Sequence, residues 1–462
     1  MRQITRPLLL GLDIGTTTVS AAVADPKAGR QTECRTVPND GGLEFSESFR
    51  HEQDPERIVS TAMRLAEALL EKYPEIGAVG VTGQMHGIVY IDEHGQSVSP
   101  LMTWQDGRAA ERLYNGESAC ELIRSLTGCD IPPGYGLATH YYNQLTGLVP
   151  KAAVSFCTIM DFLVMRMTGR KSPIVHASNA AGFGLFDCAG CRFDAKTEAL
   201  GISRAFLPQV TGGNMIAGDF RGIPVSVAIG DNQASFIGAV REEESGVLVN
   251  FGTGSQISFV AGEKETGELP ERRPFVDGRC LLSGSALCGG RAYAMLKRFF
   301  DEYAEAAGFS EGSDYDVLNL LAEKALRENE LCGKEPLRVC TAFCGTRREP
   351  WLRGSIAGIG EENFTPGQMA LGILQGMVSE LYGLYRSCGR HKAGTLVASG
   401  NAVQKNPVLR KLLAKEFGTE IRIPLIGEEA ALGAALFAGV CSGLYSEKDV
   451  KSCIHYRGGK FE

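Results

Sequence analysis

The chain has 462 residues, 44% of them hydrophobic and 22% charged, with a formal net charge of −7 at neutral pH. This is ordinary globular usage in a chain long enough for about two to three domains with large cores. The acidic balance leaves no electrostatic footprint for nucleic acid, so the expected partners are small molecules, with no nucleic acid and no membrane.

Arg2 and Arg6 precede only a brief apolar run that Asp13 interrupts, which is not a secretory signal; a cytoplasmic protein is expected. Its 14 cysteines are then expected to be reduced. The lone pair Cys188-Ala-Gly-Cys191 has no second pair at zinc spacing and reads as a turn.

In chain order, Leu8 to Asp25 reads as strand, tight turn and return strand. The turn, Asp13-Ile14-Gly15-Thr16-Thr17-Thr18, combines a flexible glycine, backbone N–H groups and three hydroxyls, which suit an anion. A carboxylate beside a bound phosphate makes sense when a divalent cation lies between them, so Asp13 is the candidate metal residue. The competing reading is a Gly-Thr hairpin with a solvated Asp. Asp54-Pro55 starts a helix running to about Glu71, with Ile58, Ala62, Leu65, Leu69 and Leu70 on one face. Ile76 to Thr82 is a buried parallel-type strand that runs into Gln84-Met85-His86-Gly87. Ligands of open α/β folds gather beyond strand ends, so these residues are candidate substrate contacts, unless His86 is a structural histidine.

Trp104, Gln105, Asp106 and Arg108 follow the next strand, and an aromatic face with directional polar groups suits a sugar; a core tryptophan beside a turn is the alternative. Gly134-Tyr135-Gly136 reads as an irregular loop, Phe156 to Gly169 as a helix ended by Gly169, and Ser178 to Gly182 as a small-residue loop. Asp231 stands at the junction of a strand, Ile223 to Ile229, and a small-residue helix. A catalytic carboxylate belongs there, and so does a helix cap.

Arg241 to Gly246 is a charged break that divides a domain 1–241 from a domain 246–462. Beyond it, Val247 to Val260 repeats the opening element, with Asn250-Phe251-Gly252-Thr253-Gly254 matching Asp13-Ile14-Gly15-Thr16-Thr17. This implies two related halves, each with a phosphate-facing hairpin. Thr365-Pro366 starts a helix to about Arg386, Thr395 to Asn401 is a strand ending in a glycine turn, and a helix follows Asn406-Pro407 to Phe417. The Ala- and Gly-rich run from Ala430 to Tyr445, behind Glu428 and Glu429, is too short for a membrane span and reads as a packed core helix.

Together these motifs resemble the FGGY carbohydrate kinases, of the superfamily that includes actin, sugar kinases and the Hsp70 ATPase domain. Asp13 to Thr17 resembles the first phosphate motif, Gly252-Thr253-Gly254 the second, and Gly400-Asn401 the adenosine motif. Gly354, Ile356, Gly358, Ile359, Gln368 and Gln375 fit the C-terminal signature. Asn401 stands where Gly is commoner, Gly372 where Ala or Ser is usual, and the Lys common around Ile159 to Gly169 is missing. Gln84-Met85-His86-Gly87 resembles the ketose kinases, including xylulokinases. Trp104 to Arg108, Gly134 to Gly136 and Ser178 to Ala181 resemble the sedoheptulokinases.

The resemblance implies an α/β fold of two ribonuclease H-like (actin-like ATPase) domains flanking a deep cleft. It implies ATP-dependent phosphorylation of the terminal hydroxyl of a ketose, sedoheptulose first, with xylulose or another pentulose as the alternative. A non-catalytic sugar sensor and an actin-like assembly ATPase are the remote alternatives. ATP and Mg²⁺ are the implied cofactors. Nucleotide contacts fall to Gly15, Thr16, Thr17, Thr18, Gly252, Thr253, Gly254, Gly400 and Asn401. Asp13 is assigned to the metal. The sugar is assigned to Gln84, Met85, His86, Trp104 and Asp106, with Asp231 as catalytic base. A monomer or homodimer is expected.

Overall fold

The apolar run Leu8–Ile14 forms β1, which turns back into β2 (Thr18–Asp25); the two pair antiparallel from Leu9–Ala24 to Ile14–Val19. β3 (Arg30–Pro38) adds antiparallel to β2. In the computed structural model, residues 7–457 are described apart from 115, 263–269, 310–313, 334–335, 347–348, 350 and 426, so Arg2 and Arg6 lie outside the described residues. Helix α1 (Pro55–Lys72) starts where expected: Pro55 occupies the first turn and the Asp54 carboxylate accepts from the amides of Glu56 and Arg57. The buried strand β4 (Ile76–Gly83) follows, parallel to β1. With β5 (Ile216–Phe220) and β6 (Ile223–Ser226) the first sheet has the order β5-β6-β4-β1-β2-β3.

Gly136 opens α2 (Gly136–Thr146), so the expected irregular loop ends in a helix N-terminus. Ser155–Cys157 is a short strand, and α3 (Ile159–Thr168) begins after a capping box between Thr158 and Asp161 and ends at Gly169 in the left-handed conformation. The segment expected as a small-residue loop folds instead as α4 (Ala177–Ala181). His176 caps its Ser178 amide, and the Asn179 side chain donates to the Ala228 carbonyl at 3.1 Å, which anchors the short helix. α5 (Asp231–Ala239) carries Asp231 at its first position.

The second sheet repeats the plan. β7 (Gly246–Phe251) and β8 (Ser255–Val260) form a hairpin, with β9 (Glu271–Pro274) and β10 (Cys280–Ala286) beyond β8. β11 (Thr395–Ser399) runs parallel to β7, and β12 (Ile421–Arg422) follows, giving the order β9-β10-β8-β7-β11-β12. Each sheet therefore has a hairpin, a third antiparallel strand outside it, and a parallel strand on its inner side. α6 (Gly290–Ala306), α7 (Tyr315–Cys332), α8 (Pro366–Ser387) and α9 (Pro407–Phe417) accompany this sheet. Phe251, Phe259, Leu381, Tyr385, Leu409 and Phe417 belong to its core.

The chain forms two compact units. One comprises Met1–Arg241, Arg273–Cys280 and Ile426–His455; the other comprises Glu242–Arg272, Leu281–Leu425 and Tyr456–Glu462. The division thus differs from a single break at 241–246, because two later segments return to the first unit. The second of these contains α10 (Glu429–Cys441), the expected core helix. A β-carbon on Gly11 would fall 1.8 Å from the Ala431 carbonyl oxygen, and one on Gly80 would fall 1.9 Å from that of Ala434. Helix and sheet backbones therefore touch at glycine, which holds α10 to the first sheet despite its place late in the chain. Among the described residues no helix is long and apolar enough to cross a membrane.

Candidate active site

Small residues bring Asp13 and Asp231 of the first unit within electrostatic reach of each other, with the charge of Glu428 also felt at Asp13. α5 and α10 cross backbone to backbone: a β-carbon on Gly433 would fall 1.8 Å from the Ala234 oxygen, and one on Gly238 would fall 2.0 Å from the Glu429 oxygen. This contact, with those at Gly11 and Gly80, sets Asp231 at the start of α5 near Asp13 at the end of β1. Glu428, in the left-handed conformation, precedes α10. Burial raises the Asp13 carboxyl to about 7, and the charges of Asp231 and then Glu428 add to the shift. Burial likewise raises Asp231 to about 6, against the Asn232 amide, which donates to its Oδ1 at 2.6 Å, and the charge of Arg273. A carboxylate tuned to that range is ionised at neutral pH and basic enough to take a proton.

All-oxygen donors and mutually repelling carboxylates fit a hard divalent cation. Among the described residues no three His, Cys, Asp or Glu side chains form a closed cage. Mg²⁺ needs only one or two carboxylates when phosphate and water complete its shell.

The first hairpin turn is tied to the Gln84 and Trp104 loops. Thr16 Oγ1 donates to Gln84 Oε1 at 3.3 Å and accepts from the Trp104 indole N–H at 3.0 Å. Gln53 donates to the Thr16 carbonyl, and Gln84 donates to Gln53 Oε1, both through their side-chain amides. Thr17 and Thr18 are exposed. Of the three expected anion-facing hydroxyls, that of Thr16 is thus engaged within the protein.

His86 has a φ of 74°, uncommon outside glycine. Its Nδ1 lies 2.7 Å from the Gly182 carbonyl oxygen, and its ring stacks on Tyr135 with centroids 4.2 Å apart. Met85 is buried with its thioether against Gly230, next to Asp231. Gly134 packs on the Trp104 backbone, where a β-carbon would fall 1.8 Å from the Trp104 oxygen. Trp104 is 48% exposed rather than core.

Asp106 differs from the expected sugar contact. It is fully buried, and its oxygens accept from Arg108 and the His51 amide. Arg108 in turn reaches Glu52 and Asn143. A buried carboxylate beside a guanidinium serves that ion-pair network, so Asp106 shapes the Trp104 loop from within.

In the second unit, a cavity of about 920 Å³ is lined by Gly252, Thr253, Arg291, Tyr293, Tyr315, Asn319, Asn401, Lys405 and Asn406, a size suited to a cofactor. The turn Gly252–Gly254 meets the start of α6: the Gly290 amide donates to the Gly252 carbonyl at 2.9 Å and that of Arg291 to the Thr253 carbonyl at 3.1 Å. Charged groups of both signs line the cavity, Arg291 and Lys405 against Asp314 and Asp316. Asn401 lines the cavity and begins a short helix, and Gly400 before it, φ 93°, lies against the Phe251 backbone. Tyr293 and Tyr315 stack, and Asn319 Oδ1 accepts from Tyr293 and Asn406.

Sequence reasoning missed Arg291, Tyr293, Tyr315, Asn319 and Lys405 of this cavity, and Arg273 of the first unit. Gly289-Gly290-Arg291 before an amphipathic helix was the one available signal, a glycine approach to a helix N-terminus. The others carry no local pattern.

The family model described as the FGGY family of carbohydrate kinases, N-terminal domain, matches residues 8–238, and its C-terminal counterpart matches residues 249–442. A sedoheptulokinase of Mus musculus is 25% identical over 93% of this chain and 97% of its own. A glycerol kinase of Bacillus licheniformis is 28% identical over 95% and 91%. Among solved structures, a gluconate kinase from Lactobacillus acidophilus aligns with a TM-score of 0.81 at 18% identity, covering 98% of this chain and 92% of that one. A xylulose kinase from Rhodospirillum rubrum aligns with a TM-score of 0.81 at 20% identity, covering 98% and 93%. At those identities the structures speak for the fold alone, and they bear out the two-domain, ribonuclease H-like expectation.

Proposed function

Because the chain belongs to the FGGY family of carbohydrate kinases, ATP-dependent phosphotransferases acting on sugar hydroxyls, we propose that its acceptor is the terminal hydroxyl of a ketose, sedoheptulose first among them. The observation that carries an acceptor site in the first unit is Asp231, tuned to about 6 and adjoining Met85 through Gly230. The ketose rests on Gln84-Met85-His86-Gly87. The seven-carbon choice rests on Trp104 to Arg108 and Gly134 to Gly136, supported by relatives in Mus musculus and Homo sapiens named sedoheptulokinase.

In this reading Asp231 accepts the proton of the attacking hydroxyl, while Met85, His86, Gln84 and Trp104 orient the sugar. On the first unit Thr17 and Thr18 offer donors to phosphate oxygens; on the second unit the turn Gly252–Gly254 does so, and that unit's cavity, lined by Asn401, takes the nucleoside. Mg²⁺, held by Asp13, would neutralise charge on the transferring phosphoryl group. Asp106 keeps the Trp104 loop in shape without touching sugar.

Nucleoside diphosphate release measured with sedoheptulose, xylulose, ribulose and glycerol tests the reading. The expected result is the highest kcat/KM with sedoheptulose. A preference for xylulose or ribulose would move the assignment to a pentulose, and a preference for glycerol would overturn the ketose.

A further inference from the structure

The segment Arg273–Cys280 is second-half sequence seated in the first unit. It docks on α5, the helix that carries Asp231. Gln233 Nε2 donates to the Pro274 carbonyl at 2.9 Å, and Phe236 meets Phe275 edge-on with centroids 5.7 Å apart. Pro274, Phe275 and Val276 are buried. Further along, the Asn214 amide donates to Asp277 at 2.7 Å. The segment is therefore held along most of its length, and its first residue is held with it.

That first residue is Arg273. Its guanidinium Nη2 donates to the Tyr135 hydroxyl at 3.2 Å. Tyr135 stacks nearly parallel on His86, at an interplanar angle of 14°. The backbone of Tyr135 runs between two glycines, Gly134 and Gly136. His86 itself sits at a strained φ and is fixed by Gly182 through Nδ1. A chain of contacts thus runs from the returning segment through Arg273 and Tyr135 to the imidazole.

We propose that Arg273 is a positioning residue of the acceptor site, which holds the Tyr135 hydroxyl and thereby fixes the ring on which His86 is stacked. The inference rests on the reading that His86 meets the ketose. It makes the acceptor site depend on a residue from beyond β8, although the other sugar residues come from the first half of the chain. The role is binding rather than chemistry, so its loss acts on the sugar's KM and not on the nucleotide's.

The test uses the full-length protein with Arg273→Gln, Arg273→Lys, Tyr135→Phe and the Gln–Phe double variant. A hydrogen bond from a charged donor corresponds to a change of about tenfold, so Arg273→Gln and Tyr135→Phe should each raise the ketose KM by about that factor. Expected with this, measured at a pH well above the ionisation of Asp231, are an ATP KM unchanged, kcat within about twofold, partial rescue by Lys, and a double variant no worse than either single one. An unchanged ketose KM in Arg273→Gln, or additive effects in the double variant, would overturn the proposal. A second readout needs no activity. The His86 ring-proton resonance, assigned with His86→Asn, should carry a ring-current shift from Tyr135 that relaxes in Arg273→Gln. A resonance that stays put overturns Arg273 as the anchor. A parent enzyme that ignores every ketose overturns the substrate reading instead, and the resonance still decides the anchor.

Discussion

The indole N–H of Trp104 donates to the hydroxyl of Thr16 at 3.0 Å, joining the first hairpin turn to the Trp104 loop. Residues 88 positions apart thus share one hydrogen bond, and each lies in a different sequence motif. The chain has only two tryptophans, Trp104 and Trp351. In Trp351→Phe the remaining emission reports on this junction. It should change on adding ketose, with a shifted maximum, and Thr16→Val should redden the emission of the free protein. A spectrum indifferent to every ketose would separate Trp104 from the sugar site.

Asp231→Asn keeps the size and the start of α5 but removes the base. A general base contributes about 10²–10⁴-fold, so kcat should fall by at least that order with ketose KM within about threefold. Near-parental turnover in steady-state assays would exclude Asp231 from proton transfer.

The pH profile follows from the same group. Asp231, at about 6, must be ionised to accept a proton. The kcat/KM should therefore rise with pH through that region and level above it, in saturating Mg²⁺ and ATP. Arg273 holds the limb down, so Arg273→Gln should move it to higher pH. Stability runs the other way. Asp13 and Asp231 are raised from 3.8 to about 7 and about 6, so the folded state holds protons that the unfolded state has lost between those values. Their contribution is full below about 4 and is lost as pH rises toward 7. Asp13→Asn should flatten the fall in Tm across that window in the metal-free protein, and a slope equal to the parent's would exclude Asp13 as its source.

Two glycines give opposite outcomes. Gly80→Val drives a side chain into the α10 backbone, 1.9 Å from the Ala434 oxygen. It should cost about 3 kcal/mol or more and take the carboxylate cluster with it. Gly383 in α8 has nothing within 4 Å of its missing β-carbon. Gly383→Ala should add up to about 1 kcal/mol through helix propensity. Thermal or denaturant unfolding of the two variants measures both.

Local chemistry made much of this protein legible in its sequence. The glycine-threonine hairpin between apolar runs, its echo at Asn250–Gly254, the Asp54-Pro55 and Thr365-Pro366 helix starts and the strand entering Gln84-Met85-His86 all depend on neighbours within a few residues. Backbone propensity and capping act over that range. The short helix at Ala177–Ala181 escaped because its cap is a histidine and its anchor, the Ala228 carbonyl, lies 49 residues away. Asp106 looked like a sugar ligand because its burial under Arg108, Glu52 and Asn143 has no local signature. The return of Arg273 and of α10 to the first unit was equally hidden, since glycine-backed contacts between Gly11, Gly80 and the α10 backbone are long-range packing. The sequence by itself determined which residues could carry the chemistry. Only tertiary structure decided which carboxylates meet and which titrations shift, because burial and like-charge proximity arise once distant segments share one core.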